Sequence, residues 1–432
     1  MKLSTKKGLR LGAVVTVAAL SMGVLAGCAS AATTDANAST NKTFNIWWYD
    51  DKTAQSKTWD AALTEFKTLH PDITVNFEQK TWDQIQKSGN SILDSDKAPD
   101  LSEWNKGNAT AGSASAASLL TNLDDYAKQY KWDTTLPASA LQVGQYTNGI
   151  MGSGSLYGVA TYGEYVGWFY NKDMFAANNV KVPTSVTELE AALKTFKDAG
   201  VTPMAMAGGD YQIVHNIYAL ALSQADTSWV NNYQFFAAPT DFKDKAWTYA
   251  VNTVDRWLKA GYFEPNASGV KADESVASFE KGTYPMMMGG TWLDTGVAGA
   301  AKFAWGKFAN PGTKSEGSAG NIWVIPSKSK QTDLAAEFIN LTLSPKYQTL
   351  EGNNGGIPLL ADPSTITDPT GKITNTVFNE ILKGDGLGFY PDWPVPGFYE
   401  ELLKDGTSLA AGTLAPTDYL TAVDKFYMAN KP

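Results

Sequence analysis

Between Phe44 and Trp104 the chain alternates strand-like and helix-like periods, and this alternation constrains the fold more than any other feature of the sequence. FNIWW (44–48) is a short apolar run. Trp59, Leu63, Phe66 and Leu69 then recur at helical spacing up to His70-Pro71. ITVNFEQ (73–79) alternates Ile73, Val75 and Phe77, the pattern of a strand; WDQIQKSGNSIL predicts a helix and PDLSEW (99–104) a strand. Strand–helix–strand order of this kind predicts βαβ units around a mainly parallel sheet, an α/β fold with ligands at the loops after the strand ends. The pattern resumes downstream. Leu189, Leu193 and Phe196 mark a helix, TPMAMAG a strand, YALALSQ and AWTYAVNTVDRWLKAG helices, YPMMMGG and NIWVIP strands, and DLAAEFINLTL a helix.

The N-terminus reads as a processing segment. Lys2, Lys6, Lys7 and Arg10 precede the apolar run LGAVVTVAALSMGVL, too short for the roughly 20 residues that span a bilayer. Leu25-Ala26-Gly27-Cys28 matches a bacterial lipobox, which predicts a signal peptide over 1–27 and a lipoprotein acylated on Cys28, the only cysteine. A diacylglyceryl group, palmitate included, supplies the two chains that stable anchoring requires. The small, polar stretch over 28–42 reads as a flexible tether. The formal charge of −9 becomes about −13 without the four signal cations, which argues against nucleic acid or polybasic membrane adhesion.

Catalytic patterns are sparse. Only His70 and His215 exist as histidines, and no HExxH, CxxC or P-loop pattern occurs, so neither a metal nor a cofactor is expected. The adjacent pairs Asp50/Asp51 and Glu400/Glu401 are poorly disposed to flank one glycosidic bond. Sugar binding asks instead for flat aromatics against pyranose C–H faces and for carboxylates and amides against hydroxyls. Fourteen Trp, 19 Tyr and 18 Phe supply rings in excess, most of which must be core.

Whole-chain pattern resembles the carbohydrate-binding extracellular solute-binding proteins of bacterial ABC importers, the group of maltose- and raffinose-type binders. The resemblance rests on the lipobox, FNIWWYDD, WDAALTEFKTLHPDITVNFE, APDLSEWNKGNA, LYGVATYGEYVGWFYNKDMF, FEKGTYPMMMGGTW, GNIWVIPSKSKQTDLAAEFI and GNNGGIP, in that order. It implies a two-lobe periplasmic-binding-protein fold with mixed, mainly parallel sheets flanked by helices and a ligand cleft between the lobes. Lobe one would be 43–159 and 310–345, and lobe two 160–309 and 346–432. The implied role is a monomeric, lipid-anchored receptor on the outer face of the cell membrane, not an enzyme, passing an oligosaccharide to ABC permease subunits. A surface glycoside hydrolase, a polysaccharide-binding lectin, or the same fold with non-sugar cargo are the alternatives.

Position and resemblance together select the candidate ligand residues. Asp51 and Lys52 follow the first strand; Asn105 and Asn108 follow PDLSEW, where turn formation is the alternative reading. Glu164 lies in the otherwise apolar TYGEYVGWFY and reads as a hydroxyl acceptor or an ion-pair partner, with Tyr165 as a weaker neighbour. Tyr211 matches a cleft aromatic, and His215, one turn on, meets a hydroxyl or simply packs. Trp292 follows a Gly-Gly turn and matches a sugar-stacking position. In GFYPDWPVPGFYEEL (388–402), Pro391, Pro394 and Pro396 stiffen a loop that leads into a helix near Phe398. There the sharp candidates are Asp392 as acceptor and Trp393 as stacking face, with Phe389, Phe398 and Tyr390 read as packing. The glycines of GNNGGIP are assigned to backbone geometry.

Overall fold

The computed structural model describes residues 42–49, 53–384 and 386–431. Cys28, the rest of the tether up to residue 41, Asp51 and Lys52 lie outside the described residues, whereas Lys42, read as the end of the tether, opens a strand. Two sheets organise the unit that begins at Asn41. In the first, Lys42–Trp48 runs between Ile73–Gln79 and Leu101–Trp104, parallel to both. The helix Ala54–Leu69 joins the first two strands, capped by Thr53, whose hydroxyl accepts from Ser56 N at 3.2 Å. Its apolar face, Trp59, Ala62, Leu63 and Phe66, is buried. Ile322–Val324 and then Val159–Ala160 complete this sheet.

The second sheet is built on one ten-residue strand, Tyr162–Asn171. Its first residues are flanked by Gly317–Ala319 and Ile357–Pro358, and its remainder by Met286–Gly290 and Trp305–Phe308. Gly163 is required where these strands converge. A Cβ there would lie 2.9 Å from Ile357 Cγ2 and 3.0 Å from the Phe378 ring.

Parallel pairing is less general than the element order suggests. Every strand beside Tyr162–Asn171 runs antiparallel to it, and Ile322–Val324 is antiparallel to both of its neighbours. Parallel pairs form where a helical crossover separates adjacent strands, as between Met204–Ala205 and Met286–Gly290. The segment TPMAMAG contributes only Met204 and Ala205 as strand. Beyond them Met206 N donates to Glu264 Oε1 at 2.7 Å and Ala207 N to Gln212 Oε1 at 2.7 Å. Side chains thus take the donors that a further strand would need.

Helix Gln212–Leu222 packs against Lys245–Lys259 and Phe398–Ala410. Rings of Tyr218, Tyr233, Phe242, Trp247, Phe398 and Tyr427 meet there at centroid distances of 5.1–6.5 Å. Phe398 therefore belongs to the core, as its sequence context suggests. Among the described residues no helix is long and apolar enough to cross a membrane.

Candidate functional site

The Pro-rich loop is held by its carbonyls because its prolines lack N–H groups. Tyr218 Oη donates to Gly388 O at 2.6 Å, Gln234 Nε2 to Tyr390 O at 2.9 Å, and Tyr233 Oη to Pro391 O at 2.5 Å. Ala109 N donates to Trp393 O at 2.9 Å, tying the loop to the segment after Leu101–Trp104. Phe389 takes φ of 58°, an unfavourable left-handed conformation for a large residue, and wedges between Phe235 and Trp393. Four donors outside the loop thus fix it, and Tyr390, Asp392 and Trp393 are carried to the wall of a cavity of about 350 Å³.

Strand ends and one helix start supply the rest of that wall. Asn105 and Lys106 follow Leu101–Trp104, Tyr49 follows Lys42–Trp48, and Asn321 precedes Ile322–Val324. Glu164 comes from Tyr162–Asn171, Trp292 from the end of Met286–Gly290, and Tyr211 and His215 from the first turn of Gln212–Leu222. The structure therefore brings Asn105, Glu164, Tyr211, His215, Trp292, Asp392 and Trp393 to one place.

Asn108 and Tyr165 do not reach it. Asn108 braces two chain segments, donating from Nδ2 to Gln234 O at 2.8 Å and accepting from Met151 N at 2.7 Å. Tyr165 is fully buried on the opposite face of its strand, stacked on Phe378 at 6.1 Å with the Lys307 ammonium 4.5 Å from its ring. Side chains alternate along a strand, so Glu164 in the cavity obliges Tyr165 to point away. Trp82, a further residue of the wall, forms an edge-to-face pair with Tyr49 at 5.5 Å. Tyr390, read as packing, lines the cavity as well, and Asp273 stands at its rim.

Lys106 is the most consequential residue missed by the sequence reading. Its ammonium is almost wholly buried, pairs with the Glu164 carboxylate, and donates to Asn321 Oδ1 at 3.1 Å. Asn321 Nδ2 donates in turn to Glu103 Oε1 at 3.1 Å, and Glu103 Oε2 accepts from Tyr49 N at 2.9 Å. A polar chain thus runs behind the cavity from one strand end to the next. The Lys106 ammonium also lies 5.3 Å from the Tyr390 ring and 5.4 Å from the Trp393 ring.

The aromatic surfaces differ in access. Trp292 is half-buried and stands 6.3 Å from Tyr211, 6.0 Å from His215 and 6.5 Å from Tyr390. Trp393 is only 2% exposed, so it offers an edge to the cavity and serves chiefly as its floor. Among the described residues Asp392 forms no ion pair, and burial pushes its carboxyl up to about 6 against its own backbone N–H and the pull of His215 and Lys106. Burial likewise raises the Tyr211 phenol to about 12, which keeps it a neutral donor. His70, by contrast, lies apart from the cavity, with Nε2 2.9 Å from Glu337 Oε1.

A second, water-sized cavity of about 10 Å³ shares Glu164 and Trp292 with the first and is closed by Glu351 and Gly356. A Cβ on Gly356 would come within 1.9 Å of Glu351 Oε1, which has no hydrogen-bond partner among the described residues. Burial lifts the Glu351 carboxyl from 4.5 to about 7. A raised acid stabilises the fold fully below its unfolded value, and that contribution is lost as pH rises through 7. Glu351→Gln is therefore expected to stabilise the protein by about 3 kcal/mol at pH 8 and to change little at pH 4.5. Urea unfolding at the two pH values measures the difference; equal shifts at both would contradict the assignment.

Comparison with known proteins identifies the family and the fold. The family described as "Bacterial extracellular solute-binding protein" matches residues 49–349. A curated relative, the multiple sugar-binding protein of Streptococcus mutans serotype c, is 24% identical over 268 residues, which cover 59% of each chain. The aligned region thus spans under two thirds of that relative. Among solved structures, one concerned with xylan utilisation by the thermophilic bacterium Caldanaerobius polysaccharolyticus superposes with a TM-score of 0.77 at 20% identity, covering 89% of this chain and 99% of the other. The GacH receptor of Streptomyces glaucescens GLA.O, solved unliganded and with acarbose, gives 0.72 at 20% identity, covering 90% and 98%. Both likenesses establish the two-lobe periplasmic-binding-protein fold.

Proposed function

Because the chain belongs to the bacterial extracellular solute-binding protein family, we propose that it is the oligosaccharide receptor of an ABC importer. The observation that carries this reading is the pairing, in one cavity, of an accessible Trp292 face with a fixed set of polar groups: Asp392, Glu164, Asn105 and His215. Pyranoses present those same two surfaces, apolar faces and a hydroxyl rim. Charged acceptors offset the loss of water from the hydroxyls. Among the described residues Asp392 has no ion-pair partner, so its carboxyl, which also accepts from its own backbone N–H, can accept from sugar hydroxyls. The sugar names attached to the relatives, multiple sugars and acarbose, support the same class.

In this reading the two sheet-centred parts are lobes that close on the ligand, since the wall draws on strand ends of both. Closure presents a changed surface to the permease. Cys28, lipidated, would keep the receptor at the outer face of the membrane. The protein binds rather than cleaves. A glycosidase needs a second carboxyl free to act opposite its acid; Asp392 could serve as an acid, but Glu164, another carboxyl of the cavity wall, is tied to the Lys106 ammonium. Micromolar affinity or tighter, about −8 kcal/mol, suits capture from dilute medium.

Calorimetry against a panel of oligosaccharides tests the proposal. The best sugar should bind Trp292→Ala roughly thirtyfold more weakly, the loss of about 2 kcal/mol usual for a central aromatic contact. Unchanged affinity would remove Trp292 from the site, and release of shortened products by the wild type would replace the receptor reading with an enzyme.

A further inference from the structure

Glu316 lies outside the cavity wall and outside every sugar-binding pattern in the sequence, yet its placement bears on the ligand. It is fully buried, and its own carbonyl accepts from Val166 N at 2.9 Å, which sews its backbone to the central strand of the second sheet. Its Oε1 lies 2.6 Å from His215 Nδ1, while Oε2 has no hydrogen-bond partner among the described residues. A fully buried carboxylate with one orphaned oxygen is costly. His215 lies between the rings of Trp292 and Tyr390, at 6.0 and 6.4 Å, and lines the cavity. With Nδ1 engaged by Glu316, Nε2 is the ring nitrogen left for a ligand.

Building on the receptor reading, we propose that Glu316 is a positioning residue that makes His215 Nε2 a hydrogen-bond donor to the ligand, so that affinity depends on one proton held by this pair. When the pair is protonated, Nε2 carries hydrogen wherever the shared proton sits. It does so in an imidazolium facing a carboxylate, and equally in a neutral imidazole whose Nδ1 accepts from a carboxylic acid. When that proton leaves, Nδ1–H stays on Glu316 and Nε2 becomes an acceptor. The polarity of one contact inverts without movement of the ring.

The surroundings favour retention of the proton. Burial by itself would drive it off His215, but the Glu316 carboxylate, with Asp392 and Glu164 behind it, more than offsets burial and raises the imidazole above 6.5. Burial also raises Glu316, against the pull of His215. From the Pro-rich loop Asp392 adds negative potential, as does Glu164 of the central strand, itself paired with Lys106. The group next to titrate in this window is Asp392, so a variant lacking the imidazole is needed to separate the two.

The chain has two histidines, His70 and His215, so their ring protons can be followed by NMR and assigned with His70→Gln. In sugar-free wild type the His215 midpoint should lie above 6.5, and in Glu316→Gln well below the wild-type value, because burial is then opposed only by the more distant Asp392 and Glu164. Affinity for the best sugar of the panel should fall about tenfold per pH unit above the wild-type midpoint, and Glu316→Gln should be at least about tenfold weaker at pH 7.5. His215→Gln should abolish that pH dependence. A wild-type midpoint at or below 6.5, a midpoint unmoved in Glu316→Gln, or the same affinity–pH profile in both proteins would overturn the proposal. If no sugar binds, the receptor reading fails and the ligand contact with it. The titration, run without sugar, still decides whether Glu316 governs His215.

Discussion

Trp393→Ala is expected to unfold at a markedly lower urea concentration than wild type, with a loss of about 3–5 kcal/mol. The indole is 2% exposed and packs at 5.1 Å on Tyr390 and 5.8 Å on Phe389. Below it lies Gly107, where a Cβ would approach Trp393 Cβ and Cγ to 2.6 Å. The left-handed φ of 94° at Gly107 further resists any side chain that could fill the space left by the ring. Truncation therefore leaves a cavity that the backbone cannot close. The loop also loses the ring that orients Asp392, so sugar affinity should fall together with stability. In Trp292→Ala only affinity should fall. Matching the two variants by urea unfolding and calorimetry separates floor from face; a fully stable Trp393→Ala would contradict this division.

Lys106→Met should cost a comparable 3–5 kcal/mol, for an electrostatic reason. Removing the ammonium leaves the Glu164 carboxylate buried with no cation and Asn321 Oδ1 without its donor. Most of that loss is the penalty for stranding a charge rather than the net worth of the pair. The double variant Lys106→Met/Glu164→Gln should accordingly recover much of the stability while still binding sugar poorly. A double variant as unstable as the single one would show that Lys106 acts through packing of its stem on Tyr390 and Trp393 instead.

These two residues also show how far the sequence reads by itself. Trp393 stood out because prolines and rings are concentrated around it. Its side chain, expected as a stacking face, lines the cavity but is only 2% exposed, because exposure depends on what covers it. Part of that cover comes from Gly107, nearly three hundred positions away in the chain. Lys106 had no local signal at all. It sits between Asn105 and Gly107 in a polar turn, and only the approach of Glu164 and Asn321 makes it a buried cation. Tyr165 is the opposite case. Strand alternation would have excluded it once Glu164 was placed in the site, since neighbours on a strand cannot face the same way.

What the sequence determined alone is whatever depends on local period and backbone chemistry. The 3.6-residue spacing of Trp59, Leu63 and Phe66, the alternation of Ile73, Val75 and Phe77, and the prolines of the 388–402 loop dictate elements and their order, and with them the α/β class. Only the tertiary structure decided strand direction around Tyr162–Asn171, the ion pair of Lys106 with Glu164, and the burial of Glu316 behind His215. Each of these arises from side chains far apart in sequence whose desolvation is compensated only when the fold brings them together. A periodic pattern carries no record of which partners will meet.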